Sequence, residues 1–223
     1  MNSNIIGKTE QFVKEYLDGA EPGHNWWHIY RVRNLALYIS EKEGKGDKLI
    51  IELAALLHDI GDYKTGKQDN GQMIVSAFLN NEGLQARKIG EVTGIMENIS
   101  FRDNIGKEIN KSIELCIVQD ADRLDAIGAI GIARAFNYGG SAGMQIYEPG
   151  NKPVEYKSKE EYIKSQSSTI NHFYEKLFRL KSMMNTDTAK ALAVERFVFM
   201  KQFIDHFFNE WKLGEKDINK DKR

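Results

Sequence analysis

Cysteine is almost absent from this chain: Cys116 is the only one in 223 residues. An internal disulfide is excluded, and so is a structural zinc site built from thiolates alone. Proline is nearly as scarce, with only Pro22, Pro149 and Pro153. Nothing between the first two forbids a run of helices joined by short turns. Net charge is also missing. Lys and Arg number 31 and Asp and Glu 32, a formal charge of −1, which argues against the basic footprint of a nucleic-acid-binding surface. No apolar run approaches the roughly 18 residues of a membrane span. The segment MNSNIIGKTEQF lacks the basic-then-apolar order of a secretory signal. The class expected from these absences is a soluble cytoplasmic protein. What is present, 41% hydrophobic and 28% charged residues, is globular composition in a chain long enough for one large domain or two small ones.

The pattern along the chain is helical. Helices are expected at about 4–18, 25–43, 47–61, 70–82, 84–99, 108–122 and 123–137, with ends good to roughly three residues. Polar or glycine-bearing stretches separate them: Gly19, Gly44–Asp47, Gly61–Asn70, Gly83 and Arg102–Gly106. Residues 138–157, YGGSAGMQIYEPGNKPVEYK, hold four glycines and two prolines, too many for a helix. They read as a long loop, either functional or a surface connection. Ser158 and Glu161 fit a capping box that opens the next helix. Ile163, Ile170, Phe173, Leu177, Leu180 and Met184 then recur at helical spacing. A second stripe holds Leu192, Val194, Phe197, Met200, Phe203, Ile204, Phe207 and Trp211. The two stripes imply an antiparallel helical hairpin over about 158–212, and the lysine-rich tail, about 214–223, is expected to fray. The fold class is all-α, taken as one domain over 1–223. The aromatic C-terminal stripe allows a homodimer.

Two helices carry charge where the pattern calls for core. The segment LIIELAALLHDIGD is apolar nearly all round before it reaches His58 and Asp59. The segment IELCIVQDADRLDAIGAIGIA carries Asp120, Asp122 and Asp125, and Asp122 shares a helix face with Val118, Asp125 and Ala129. His28 lies one turn before Val32 and two before Leu35, so the apolar stripe carries it inward. Three of the five histidines, His24, His28 and His58, fall in the first 60 residues. Buried carboxylates cost several kcal/mol each unless paired or bound to metal. His28, His58, Asp59 and Asp122 either satisfy one another and the backbone or bind a divalent ion that keeps positions open for water.

In this pattern the sequence resembles the HD-domain metal-dependent phosphohydrolase superfamily, H…HD…D. The likeness is to small bacterial members with HDWWHIxRV, LLHDI and VQDADRLDAIGAIGIAR blocks; this chain reads HNWWHIYRV, LLHDI and VQDADRLDAIGAIGIAR. It covers about residues 20–137, in three ordered blocks. Asn25 departs from the first block's Asp at a position that is no ligand. The resemblance implies an all-helical bundle with His28, His58, Asp59 and Asp122 as metal ligands. Binuclear members add histidines between the HD pair and the last Asp. This chain has none from 59 to 122, so a single ion is expected. Mn or Mg is favoured for phosphate chemistry, with Fe, Co, Ni or Zn compatible with the donors.

The neighbours have candidate roles too, that of Asp62 from the resemblance and the others from their positions and chemistry. Asp62 is the candidate to position the attacking water or move its proton, beside Asp59; its alternative is a turn residue at the helix end. Lys64 and Lys67 are candidates for substrate phosphate, or else solvated loop lysines. Arg31 reaches phosphate or pairs with a carboxylate such as Asp125, and His24 is a candidate phosphate-binding neighbour. Asp120 and Asp125 flank Asp122, placed to orient a ligand histidine or to pair with Arg123 or Arg31. Trp26 and Trp27 read as packing; His172 and His206 read as bystanders. The expected activity is hydrolysis of a nucleotide or another small phosphate ester or anhydride. The alternative is a silent metal- or nucleotide-binding regulatory module, and nucleic-acid processing is the weakest reading.

Overall fold

Asn25 accepts hydrogen bonds from the N–H groups of Trp27 and His28 and so starts helix α2, Trp26–Glu43. Asn and Asp cap helix N-termini about equally well, which explains why Asn25 can stand where related blocks have Asp. Gly44, at φ 62°, ends the helix. The computed structural model describes residues 2–19, 25–61, 70–99, 110–155 and 167–213. In chain order the helices are α1 (Asn2–Tyr16), α2, α3 (Lys48–Leu57), α4 (Gly71–Asn81), α5 (Ala86–Asn98), α6 (Ile113–Asp125) and α7 (Gly128–Ser141). A composite helix follows, here α8, made of Thr169–His172, a π turn at Phe173–Leu177, Phe178–Leu180 and a 3₁₀ turn at Lys181–Met183. The last is α9, Asp187–Trp211. Among the described residues there is no strand, so the all-α expectation holds.

The centre is α2 packed between α3 and α6. From Leu53 to Leu57 every residue of α3 is buried, as are Ile50 and Ile51, because α1, α2, α5 and α6 surround it. Each such aliphatic side chain contributes about 1.5–3 kcal/mol on burial. Arg33 on α2 ties the layer together: it pairs with Glu52 of α3 and, at 3.1 Å, with Glu10 of α1. Trp26 packs under α1, with the Lys14 ammonium 4.4 Å from its ring centre. Trp27, read from sequence as packing, is instead 61% exposed.

Beyond α6 opening at Ile113 instead of near 108, three boundaries differ from the sequence reading. First, α3 ends at Leu57, so His58 and Asp59 stand in the closing turn and not on the helix body. Gly71, the first residue of α4, packs against that turn so closely that a Cβ there would lie 2.0 Å from the Ile60 carbonyl oxygen. Second, the break between α6 and α7 falls at Ala126–Gly128 instead of at 122–123. Gly128 adopts φ 79° with Arg196 against its Cα, a placement that needs glycine. Third, α7 runs on through Tyr138–Ser141, into the stretch read as loop. Gly139 is what lets α7 approach Thr169 there.

The rest of that loop is stitched to α8. Thr169 and Ile170 donate to the carbonyls of Gln145 and Ile146, at 2.9 and 3.0 Å. Buried Glu175 accepts from the Val154 N–H and the Ser167 hydroxyl. Tyr147 packs edge-on against Phe207, Phe208 and Trp211. Phe173 pairs with Phe203, and Phe178 with Phe197; the falling partner number makes α8 and α9 antiparallel, as expected. Val194, placed in the apolar stripe, is 47% exposed. Ser158, Glu161 and Ile163 lie outside the described residues, as does the tail from 214.

Asp120 fastens α9 to α6. Its carboxylate accepts from Asn185 N and Nδ2 and from Thr186 N and Oγ1, at 2.8–3.0 Å, just where Thr186 caps α9. Asp120→Ala is expected to cost roughly 3 kcal/mol of unfolding free energy in urea melts, because buried donors lose a charged acceptor. Asp47 contributes less. It caps α3 and pairs with Lys88 at 2.8 Å. Asp47→Ala is expected to cost about 1 kcal/mol at pH 7. The Lys88 hydrogen bond and the bonds from Ile50 and Leu49 hold this carboxyl below its ordinary value. The contribution is therefore complete above about pH 4 and fades as the pH falls through the lowered folded value, so the difference between the two proteins' melts should shrink with increasing acidity below that point.

Candidate metal centre

His28 sits in the first turn of α2 and is 1% exposed. Its Nδ1 lies 2.8 Å from Asp125 Oδ2, on α6. An ionised carboxylate only accepts, so Nδ1 carries the proton and Nε2 faces the opposite way. His58, at the end of α3, has Nδ1 2.9 Å from the Ala55 carbonyl oxygen. A carbonyl also only accepts, which gives His58 the same arrangement. The two Nε2 atoms then meet at 3.3 Å.

Two carboxylates close on the same point. From His28 Nε2, Asp122 Oδ1 lies at 3.4 Å and Asp59 Oδ2 at 3.6 Å. From His58 Nε2, Asp59 Oδ1 lies at 3.4 Å and Asp122 Oδ1 at 3.9 Å. Donors sharing one ion at about 2.1 Å stand about 3.0–3.5 Å from each other, so the spacing suits a common cation. His28, His58 and Asp59 alone already offer ligand atoms within 4.8 Å of one another. Three of the four side chains are nearly sealed, whereas the Asp122 side chain is 34% exposed. The cluster opens on that side.

Charge in the cluster is balanced toward holding a cation. Burial and the Arg134 charge lower the His28 imidazole, but its hydrogen bonds with Asp122 and Asp125 and the charge of Asp59 outweigh them and raise it. Burial raises the Asp122 carboxyl, yet the His28 bond and the two imidazoles hold it well below the usual carboxylate range. Asp125 behaves likewise: burial opposes ionisation, and the bonds from His28 and Arg31 prevail. Two imidazole nitrogens and two carboxylates, with an open edge, fit a divalent ion that keeps room for water.

The sequence-derived residues divide into three groups. His28, His58, Asp59 and Asp122 are brought together, and Asp125 stands behind His28. Arg31 turns to Asp125, at 2.6 Å from Nε and 3.0 Å from Nη2, so the carboxylate pairing is the one it makes. Asp120, expected to flank the ligands, is instead turned away into the α6–α9 junction described above. Its alternative partner Arg123 bonds the Met183 carbonyl. His24, Asp62, Lys64 and Lys67 lie outside the described residues. His206 is exposed on α9.

Sequence reasoning misses Arg134. Its Nη1 reaches Asp125 Oδ2 from α7. It stands inside the AIGIAR block, but the local pattern starts its helix five residues early, and only the break at Gly128 sets which way residue 134 faces.

Comparison with known proteins identifies the family. The HD domain profile matches residues 26–127. The chain is 43% identical over 198 residues to Bacillus subtilis YpgQ, covering 86% of this chain and 87% of that protein. Among solved structures, a Lactobacillus plantarum protein superposes with a TM-score of 0.85 at 37% identity, covering 94% of this chain and 98% of its own. A Bacillus thuringiensis HD-superfamily hydrolase gives 0.74 at 41% identity, with 95% and 99% covered. YpgQ in complex with ADP gives 0.74 at 38% identity, with 92% and 97% covered. The four converging donors, the HD profile across the helices that carry them and relatives matched nearly end to end place this chain in the HD-domain superfamily, as a metal-dependent hydrolase.

Proposed function

We propose that this hydrolase acts on phosphorus, cleaving a nucleotide or another small phosphate ester or anhydride. The observation that carries the reading is the convergence of His28, His58, Asp59 and Asp122 on one point beside an open edge. Support for a nucleotide comes from YpgQ, a relative solved with ADP. One divalent ion is proposed, Mn or Mg by preference. His28, His58, Asp59 and Asp122 would hold it, and it would supply Lewis acidity toward a phosphoryl oxygen and toward the attacking water.

The chain's own groups do the rest. Asp59 is a ligand, and Asp62 is the residue proposed to serve the nucleophile. Asp62 orients the water and takes its proton as the oxygen attacks phosphorus and the leaving oxygen departs in line. Lys64, Lys67 and His24 hold the remaining phosphate oxygens, while Arg31 stays with Asp125 behind His28. The partner is then a small phosphorylated molecule; no described helix is long and apolar enough to cross a membrane.

The second reading, a regulatory module that binds metal or nucleotide without turnover, is separated by assay. Purified protein is offered a nucleotide panel with Mn, Mg, Co or Ni, and phosphate and pyrophosphate release are measured. Turnover is expected; tight nucleotide binding with silence across the panel would favour the module. His58→Ala should lose bound metal, by elemental analysis, and hydrolysis together. An equally active variant without metal contradicts the proposal.

A further inference from the structure

Asp125 is 2% exposed, yet four N–H donors converge on its carboxylate. Arg31 supplies Nε at 2.6 Å to Oδ1 and Nη2 at 3.0 Å to Oδ2. His28 Nδ1 reaches Oδ2 at 2.8 Å, and Arg134 Nη1 reaches the same oxygen. Three of the four donors meet Oδ2 and one meets Oδ1, so both oxygens of this buried carboxylate are engaged. The donors come from two further helices, α2 and α7, while Asp125 itself ends α6.

The torsion that turns a carboxylate about its stem is soft and broad. One imidazole bonded to such a group does not fix the plane of either partner. Arg31 sets the carboxylate plane through its two-point contact, but it rides on α2 with His28 and moves with it. Arg134 arrives from α7, whose start is seated independently where Gly128 meets Arg196 of α9. Two guanidiniums against one carboxylate also leave a positive charge behind the metal ligands, on the far side of His28 from Asp59 and Asp122.

We propose that Arg134, together with Arg31, is a positioning residue for the metal centre. The pair locks Asp125 so that His28 keeps Nδ1 on that carboxylate and Nε2 on the metal point. Arg134 touches neither metal nor substrate; it acts through Asp125 and His28. Partners that orient ligating histidines in this way affect metal affinity by about 10–100-fold.

The test uses the full chain and Mn²⁺ alone, with free Mn²⁺ read by its EPR signal. Arg134→Met is expected to raise the Mn²⁺ dissociation constant about 10–100-fold. Arg134→Lys should recover part of the loss by returning a cation to Asp125. Circular dichroism and thermal melts of the metal-free proteins read the structural contribution separately. If Arg134 merely ties α7 to α6, the melt falls while Mn²⁺ affinity stays at the wild-type value, and the proposal is overturned. Should Arg134→Met not fold, Arg134→Gln, which keeps the stem and a donor but loses the charge, carries the same test with the same two outcomes. The inference rests on the reading of the site as a metal centre. A wild-type chain that binds no Mn²⁺ brings down that reading and this one together, whereas equal binding by wild type and variant brings down only the part given to Arg134.

Discussion

The Nε2 atoms of two buried imidazoles face each other across 3.3 Å with two carboxylates beside them. Acceptor atoms gathered at one buried point require positive charge among them, from a proton or a bound cation. What holds the nitrogens there is the pair of hydrogen bonds on the far edge of each ring, from His28 Nδ1 to Asp125 and from His58 Nδ1 to the Ala55 carbonyl. The rest of the centre depends on those two bonds, because they decide which nitrogen each histidine offers.

The fold can be read as the means of keeping those bonds in register. α2 is capped by Asn25 one turn before His28, so the ring enters the core at a set height. α3 ends at Leu57 while His58 keeps helical φ and ψ of −60° and −29°; a long imidazole and a short carboxylate still meet at one point across the roughly 100° between adjacent helical residues. Gly71 presses on that turn from outside. α6 brings Asp122 to the open edge and Asp125 behind His28, three residues apart on one face. Asp120, on another face of the same helix, belongs to stability: it fastens α9. One short segment therefore carries a proposed ligand, the carboxylate bonded behind His28 and a structural anchor.

Much of this is legible in the sequence, and the reasons are specific. The apolar run before His58 and the inward phase of His28 require buried histidines whatever the family. The three ordered blocks name the four residues proposed as ligands. The role of Asp120 is not legible, since its partners, Asn185 and Thr186, lie 65 and 66 residues away in sequence and on a turn. Arg134 escapes for a related reason: its direction depends on the Gly128 break, and local pattern puts that break five residues early. The extension of α7 through Gly139 and Gly140 goes against composition, because the glycine at 139 serves close packing against Thr169 and not a turn. Exposure of Trp27 beside half-buried Trp26 likewise follows from how α1 lies, which no local signal encodes.

Ring orientation thus makes the hydrolase site as much as ligand identity does. The central claim is that His28 and His58 both bind through Nε2 while their Nδ1–H groups stay bonded to protein. Proton NMR of the Co²⁺-loaded chain tests this most directly, because protons on ligand rings are shifted far from the ordinary range. Two strongly shifted, slowly exchanging N–H resonances are predicted, both lost from a His28→Ala, His58→Ala double variant. Their absence from the Co²⁺-loaded wild type, or the appearance of only one, would contradict the claim.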